Sequence, residues 1–196
     1  MSQLFDLILV LHVVTVVLMA APYYNLVVVS ERGKLGPSHI DADRLMERIV
    51  KGILWRCYFV QWTAVILGVV LVIEHPSLEL GDILSNEQLL VKFGAWIVIM
   101  GIHNWIYFLL QPDIDRVFGP NAPDGTPDPA DVAKAGRSRL LRKRGATGCL
   151  MLVLTAIIMA AQIHSPYDTE ITAALFALAA LFVFGAYRRG APYGWI

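Results

Sequence analysis

The sequence predicts an all-α polytopic membrane bundle of five transmembrane helices, and three observations predict it. Hydrophobic residues make up 57% of the chain and charged residues only 16%, well below the roughly 25% charged residues of soluble domains. Apolar runs recur at about the 20-residue length that crosses some 30 Å of hydrocarbon as a helix. Lys and Arg are sorted into alternate connections between those runs, as they are in membrane proteins. The net charge is zero, which gives nucleic acid no electrostatic footprint to bind.

The first span runs from Leu4 to Val29. It carries Asp6 before its core, lacks a basic leader and is too long for a cleavable signal peptide. The second runs from Ile53 to Ile73, the third from Leu89 to Leu110, the fourth from Ala146 to Ile163 and the fifth from Ile171 to Tyr187. Cys57 and Cys149 stand alone in apolar surroundings, without a CxxC spacing. They read as buried thiols, with a redox or metal role as the alternative.

The connections give the orientation. Arg32, Lys34, Arg44, Arg48 and Lys51 precede the second span, and Arg116, Lys134, Arg137, Arg139, Arg142, Lys143 and Arg144 lie between the third and fourth. Arg188 and Arg189 follow the fifth, and Arg56 lies just inside the second near the same face. The other connections are acidic, with Glu74, Glu79, Asp82 and Glu87 in one and Asp168 and Glu170 in the other. Because Lys and Arg mark the cytoplasmic side, the N-terminus falls outside and the C-terminus inside. Lys92 is then the single Lys or Arg in the outer half.

Before the second span, Asp41 or Asp43 is placed to cap a helix that runs on into the membrane. The longer connection, 111–145, opens with a turn-rich stretch expected to be irregular. Asp128 and Pro129 then form an N-cap and first-turn pair. The basic helix they start should lie along the inner surface, drawn to anionic headgroups. In the tail, Tyr193 and Trp195 fit the interfacial zone.

Ionisable residues inside spans are functional candidates. Three stand out: His12 in the first span, and Lys92 and His103 in the third. Lys92 and His103 are eleven residues apart, about three turns and roughly 16 Å along one face. Trp96, Ile99 and Tyr107 share that stripe. At 1.5 Å per residue, His12 lies roughly 12 Å deep, between Lys92 at about 5 Å and His103 at about 21 Å. A site in the outer half could therefore touch all three. Imidazole is a common axial ligand of haem iron, and an ammonium suits a buried anion. The alternatives are a snorkelling lysine and neutral rings bonded to neighbouring helices. His39, His75 and His164 lie in loops or at span ends and read as surface groups. Gln61, Asn104, Thr147 and Thr155 read as polar contacts between helices.

This pattern resembles the HemJ-type protoporphyrinogen oxidases, small helical membrane proteins, and more distantly the CopD-like membrane proteins that share the "LHVV" opening. The resemblance rests on "VLHVV" at His12, on "LMERIVKGILW" before the second span, on "LLVKFGAWIVIMGIHNW" with Lys92 and His103, and on "RSRLLRKRGA" before the fourth. It covers most of Leu4 to Ile163. It implies a four-helix core over residues 1–163 that binds haem b, with His12 and Lys92 needed for activity and His12 as first-choice iron ligand. It places His103 at a frequent family position; Trp96 joins the candidate cofactor lining from its place on the stripe. The implied reaction oxidises protoporphyrinogen IX to protoporphyrin IX, with electrons passing towards the quinone pool of a bacterial inner membrane. The long connection at 111–145 and the extra fifth span with its tail, 164–196, depart from the pattern. An added apolar span suits docking to a second copy or to other membrane subunits. The alternative is therefore a non-catalytic or cytochrome b-type subunit of a larger electron-transfer complex.

The charge pattern makes one direct prediction. Reporter fusions after Gly36 and after Asp124 should signal from the cytoplasm, and a fusion after Asp82 from the outside. An outside signal at Asp124 would remove the five-span topology.

Overall fold

The computed structural model describes residues 3–29, 40–74, 81, 85–119, 121–123, 127–164 and 168–188. Of these, 94% are helical and none forms a strand. The helices are α1 (Gln3–Val29), α2 (Ile40–Glu74), α3 (Glu87–Phe118), α4 (Pro129–His164) and α5 (Thr169–Arg188). Among the described residues these are five helices long and apolar enough to cross a membrane. The chain is an all-α membrane bundle. Tyr193, Trp195, His39 and His75 lie outside the described residues, as does the side chain of His164.

α1 packs most closely on α2 and α4, and α4 in turn packs on α3 and α5. The shared core draws Met19, Tyr23 and Leu26 from α1, Leu54 and Cys57 from α2, Ile99 and Ile106 from α3, and Ala146, Cys149 and Leu150 from α4. Both cysteines are buried free thiols. Gly145 lets α4 approach α3 closely: a Cβ there would stand 3.0 Å from Ile106 Cδ1 and 3.1 Å from Ile102 Cγ2. These core residues gather in one half of the bundle. In the other half, α1 leaves Leu4, Leu7, Val10, Leu11 and Leu18 exposed.

α2 and α4 are 35 and 36 residues long, or roughly 53 Å at 1.5 Å per residue. That exceeds a bilayer core of about 30 Å, so both extend beyond it at their basic ends. Ile40 starts α2, so Asp41 and Asp43 lie in its first turn rather than at its cap. There they still complement the helix dipole. Asp128 does cap α4: its Oδ1 accepts from Ala130 N at 2.7 Å, and Pro129 follows as the first helical residue. Asn86 caps α3 in the same way, accepting from Gln88 N at 3.0 Å and Leu89 N at 3.2 Å.

The stretch expected to be irregular opens as helix and leaves it only at Gly119. α3 passes through a π-helical turn at Ile106–Leu110 and continues as Gln111–Phe118. Pro112 explains the wide turn, because it has no N–H and its ring crowds the carbonyl four residues back. Asp113 near the start and Arg116 near the end favour the segment's dipole. Its apolar face, Ile114, Val117 and Phe118, packs with Ala135 of α4 as a small second core. The π turn also sets register. Eight residues of regular helix would turn Gln111 about 80° away from His103, whereas absorbing one residue leaves about 20°. Both side chains are buried.

The basic segment of α4 is a straight continuation of the fourth span, and two of its arginines face protein instead of headgroups. Arg142 is completely buried. Its Nη1 donates to Glu47 Oε2 at 2.6 Å and its Nη2 to Glu47 Oε1 at 3.0 Å. Nη1 also donates to Gln111 Oε1 at 2.9 Å. Arg139 Nε donates to Glu47 Oε1 at 2.8 Å, Arg139 Nη1 meets Asp43 Oδ1 at 3.3 Å, and the guanidinium lies 3.9 Å over the Phe118 ring. Around this centre, Lys134 pairs with Asp113 at 2.7 Å and Lys51 with Asp115 at 3.4 Å. Those outer pairs are partly exposed and contribute little.

Removing one partner of a buried pair leaves the other charge desolvated. Arg142→Met should therefore lower stability in detergent by about 3–5 kcal/mol. The paired Glu47→Met, Arg142→Met variant should recover a substantial part, because no desolvated carboxylate remains between them. Unfolding curves of the three proteins decide it, and equal loss in the single and paired variants would contradict the assignment.

Candidate functional site

The inward face of α3 reads Lys92, Trp96, Ile99, His103 and Tyr107, as the sequence spacing required; Ile99 and His103 are fully buried and the others half-buried. The structure arranges the candidate residues on two tiers, which α2 defines.

The deeper tier centres on Gln61, which is completely buried. Its Nε2 donates to the Tyr23 hydroxyl of α1 at 2.5 Å and meets His103 Nδ1 of α3 at 2.6 Å. One amide thus joins three helices. With Gln61 donating, Nδ1 is the acceptor and the neutral ring carries its proton on Nε2. The Tyr23 hydroxyl also meets the Cys149 thiol of α4, so the network reaches a fourth helix. Tyr58 stacks on the His103 ring with centroids 4.1 Å apart, and its hydroxyl donates to Asn104 Oδ1. Tyr23 meets the same ring edge-on at 6.5 Å. His103 Nε2 and Gln61 Oε1 are buried without a hydrogen-bond partner. Gln61 and Asn104 join helices as expected. Thr147 does not: its hydroxyl bonds the Lys143 carbonyl of its own helix at 2.8 Å.

The second tier lies at Gly68, seven residues and roughly 10 Å further along α2. Here the His12 ring rests on the bare backbone, and a Cβ at Gly68 would meet His12 Cε1 at 3.1 Å. The Ala64 backbone offers the ring a hydrogen-bond acceptor one turn earlier, and the Lys92 charge lies within electrostatic range. His12 Nδ1 and Trp96 Nε1 are buried without partners. Trp96 is held by Trp62 edge-on at 5.4 Å and by Phe93 stacked at 5.7 Å. Among the described residues no carboxylate pairs with Lys92. This tier lies in the half of the bundle outside the main core.

The sequence pointed to His12, Lys92, Trp96 and His103. The structure puts the Lys92 charge within electrostatic range of His12, sets Trp96 one turn from Lys92 on α3, and holds His103 on the deeper tier. Tyr23, Tyr58 and Cys149 were not marked as site residues. Tyr23 follows Pro22 inside an apolar span, where an aromatic ring gives no signal of its hydroxyl's partner. Chemically, the upper tier offers an ammonium and an imidazole and, one turn from the ammonium on α3, a buried indole N–H. That set suits a planar aromatic ligand carrying carboxylates. Comparison with family models, with curated proteins and with solved structures gives no match for this chain.

Gln61→Leu should break the three-helix junction and destabilise the protein by about 1 kcal/mol, the scale of buried polar contacts between membrane helices. Combined with Tyr23→Phe the loss should be less than additive, since both remove the same bond. A double-mutant cycle from unfolding in mixed micelles measures this, and strict additivity would deny the contact.

Proposed function

We propose that this chain binds haem b through its upper tier and oxidises protoporphyrinogen IX to protoporphyrin IX. The single observation that carries this reading is Lys92: a half-buried ammonium within electrostatic range of His12, with no carboxylate partner among the described residues. A lysine in that setting calls for an anion from outside the chain. Porphyrins carry propionates on a flat aromatic ring, and the lining of Trp96, Phe93 and Trp62 matches such a ring.

The residues present suit haem in their donor chemistry. His12 offers imidazole for the iron, while Lys92 and the Trp96 indole N–H offer donors for propionates. A bound haem would supply one-electron transfer. His103, anchored at Nδ1 by Gln61, sits one tier deeper, so the reading gives iron ligation to His12. Lys92 pairs with a haem propionate or, instead, with a carboxylate of the porphyrinogen substrate, where it can hold or release a proton near the macrocycle. Hydrogens leave the porphyrinogen as protons and electrons, and the electrons reduce quinone to quinol in a bacterial inner membrane. The resemblance of the His12, Lys92 and His103 segments to the HemJ-type oxidases supports the same assignment.

The exposed face of α5, with Leu178, Leu181 and Phe182, favours one alternative: a subunit of a larger membrane electron-transfer complex, with α5 against a partner.

The test is growth of cells lacking their own protoporphyrinogen oxidase, together with absorption spectra of the purified protein. Wild type should rescue growth and show a reduced b-type spectrum. His12→Ala should lose most of the haem. Lys92→Met should insert normally yet fail to rescue, and Lys92→Arg should rescue in part, because a planar guanidinium poorly replaces a compact ammonium. A colourless wild-type preparation from haem-replete cells would remove the cofactor. Absence of rescue together with a fixed set of co-purifying proteins would favour the subunit reading.

A further inference from the structure

An open groove of about 440 Å³ runs between α4 and α5, apart from both tiers. Its walls are apolar: Gly148, Met151, Ala180, Val183 and Phe184 line it, with Tyr187 and Arg144 at one end. The small residues Gly148 and Ala180 create the depression, while Met151 and Phe184 bound it. Its end lies at the level where the apolar part of α4 begins, at Ala146, and where α5 finishes, at Arg188.

The cations at this end are in different situations. Arg139 and Arg142 are answered by Asp43 and Glu47. Lys143 donates to the Tyr187 carbonyl at 2.6 Å and lies 4.1 Å over the Tyr187 ring. Arg144 and Arg188 are exposed, and among the described residues neither has a carboxylate partner. Arg188 lies 5.3 Å over the ring of Phe184, the residue that walls the groove. A slot of acyl-chain character therefore ends at Arg144, with Arg188 next to its Phe184 wall, where the apolar parts of both helices stop.

We infer that this groove is a binding site for one anionic glycerophospholipid, with an acyl chain along Gly148 and Ala180 and the headgroup phosphate between Arg144 and Arg188. Basic pockets between membrane helices near the surface are known to recognise such headgroups. Charge decides against a second copy of this chain. A two-fold face through the groove would bring each copy's Arg144 and Arg188 towards the other pair, with no acidic residue among the groove's lining to offset them. A zwitterionic lipid would fill the slot with the same phosphate but bring its own quaternary ammonium, so the net positive charge of the rim would stay uncompensated.

The experiment is native mass spectrometry of the full chain with dioleoyl phosphatidylglycerol and dioleoyl phosphatidylcholine as competing probes. Wild type should retain one phosphatidylglycerol with about tenfold preference, from two phosphate-level cations. The Arg144→Gln, Arg188→Gln protein should retain both lipids about equally, because its groove is intact while its rim is neutral. Gly148→Leu keeps the rim and fills the slot, so it should retain less of either lipid. Thermal melting in nanodiscs of each lipid gives a second readout, with wild type alone melting higher in phosphatidylglycerol. Equal retention of the two lipids by wild type would overturn the site, and so would an unchanged preference in the double arginine variant. Disulfide-linked dimers from an Ala180→Cys protein in phosphatidylglycerol nanodiscs would overturn it as well, by placing a second copy in the groove.

Discussion

The carboxylate of Glu47, held by Arg142 on one side and Arg139 on the other, is the contact on which the register of the bundle depends. Lipid tails give apolar helices little reason to prefer one axial alignment over another, since sliding exchanges one hydrocarbon contact for another. A buried ion pair is different. It has one arrangement in which every donor finds its acceptor, and any slip leaves a desolvated charge costing on the order of several kcal/mol. Here the pair fixes α2 against α4, and Gln111 extends the lock to α3 through Arg142. Once α2 is fixed at Glu47, Gln61 follows about four turns along it and Gly68 about six. The positions of both tiers are thus determined at the far end of the bundle, by residues that touch neither.

The two tiers place different demands on the same helices. At Gln61, polar atoms from α1, α2 and α3 converge inside a close-packed core and bond one another, with Gln61 Oε1 and His103 Nε2 left over. At Gly68, outside the main core, no such junction forms, and the polar groups are half-buried and include a cation. The division follows packing: side chains that fill the Leu54 to Ile106 level leave no space for anything but each other, whereas the exposed outer turns of α1 leave His12 covered mainly by the α2 backbone. The π turn after His103 belongs to the same design, because without it the third helix could not present both His103 and Gln111 inward.

Much of this was legible in the sequence, for identifiable reasons. Span lengths follow from hydrocarbon thickness, and the stripe through Lys92, Trp96, His103 and Tyr107 follows from the helical period. The Asp128 and Pro129 start of α4 follows from cap chemistry. What escaped has a common cause: the missing information is about partners. Asp43, Glu47, Arg139 and Arg142 are individually ordinary near-membrane charges, and the sequence cannot say that they answer one another and not lipid. Gln111 to Phe118 looked irregular because Pro, Asp and Gly are turn residues locally. Its helix is secured by Phe118 under Arg139 and by Ile114 and Val117 on α4, contacts made more than fifteen residues away. The depth estimate put His12 about 9 Å above His103, close to the spacing of the two tiers. It could not show that Gln61 would bond His103 Nδ1.

The contrast between Arg142 and Lys92 carries the functional reading furthest. Both are cations within long apolar helices, and both lose hydration on burial. Arg142 recovers it through a bidentate carboxylate and an amide, a complete set that leaves nothing for chemistry. Lys92 has no such set among the described residues. A lysine on the lipid face would lie off the inward stripe. This one lies within electrostatic range of the His12 ring, on the inward stripe that continues to Trp96 and Ile99. An anionic ligand on Lys92 would supply the partner that the described residues do not, and His12 Nδ1, buried without a hydrogen-bond partner, is the nitrogen left open to a ligand.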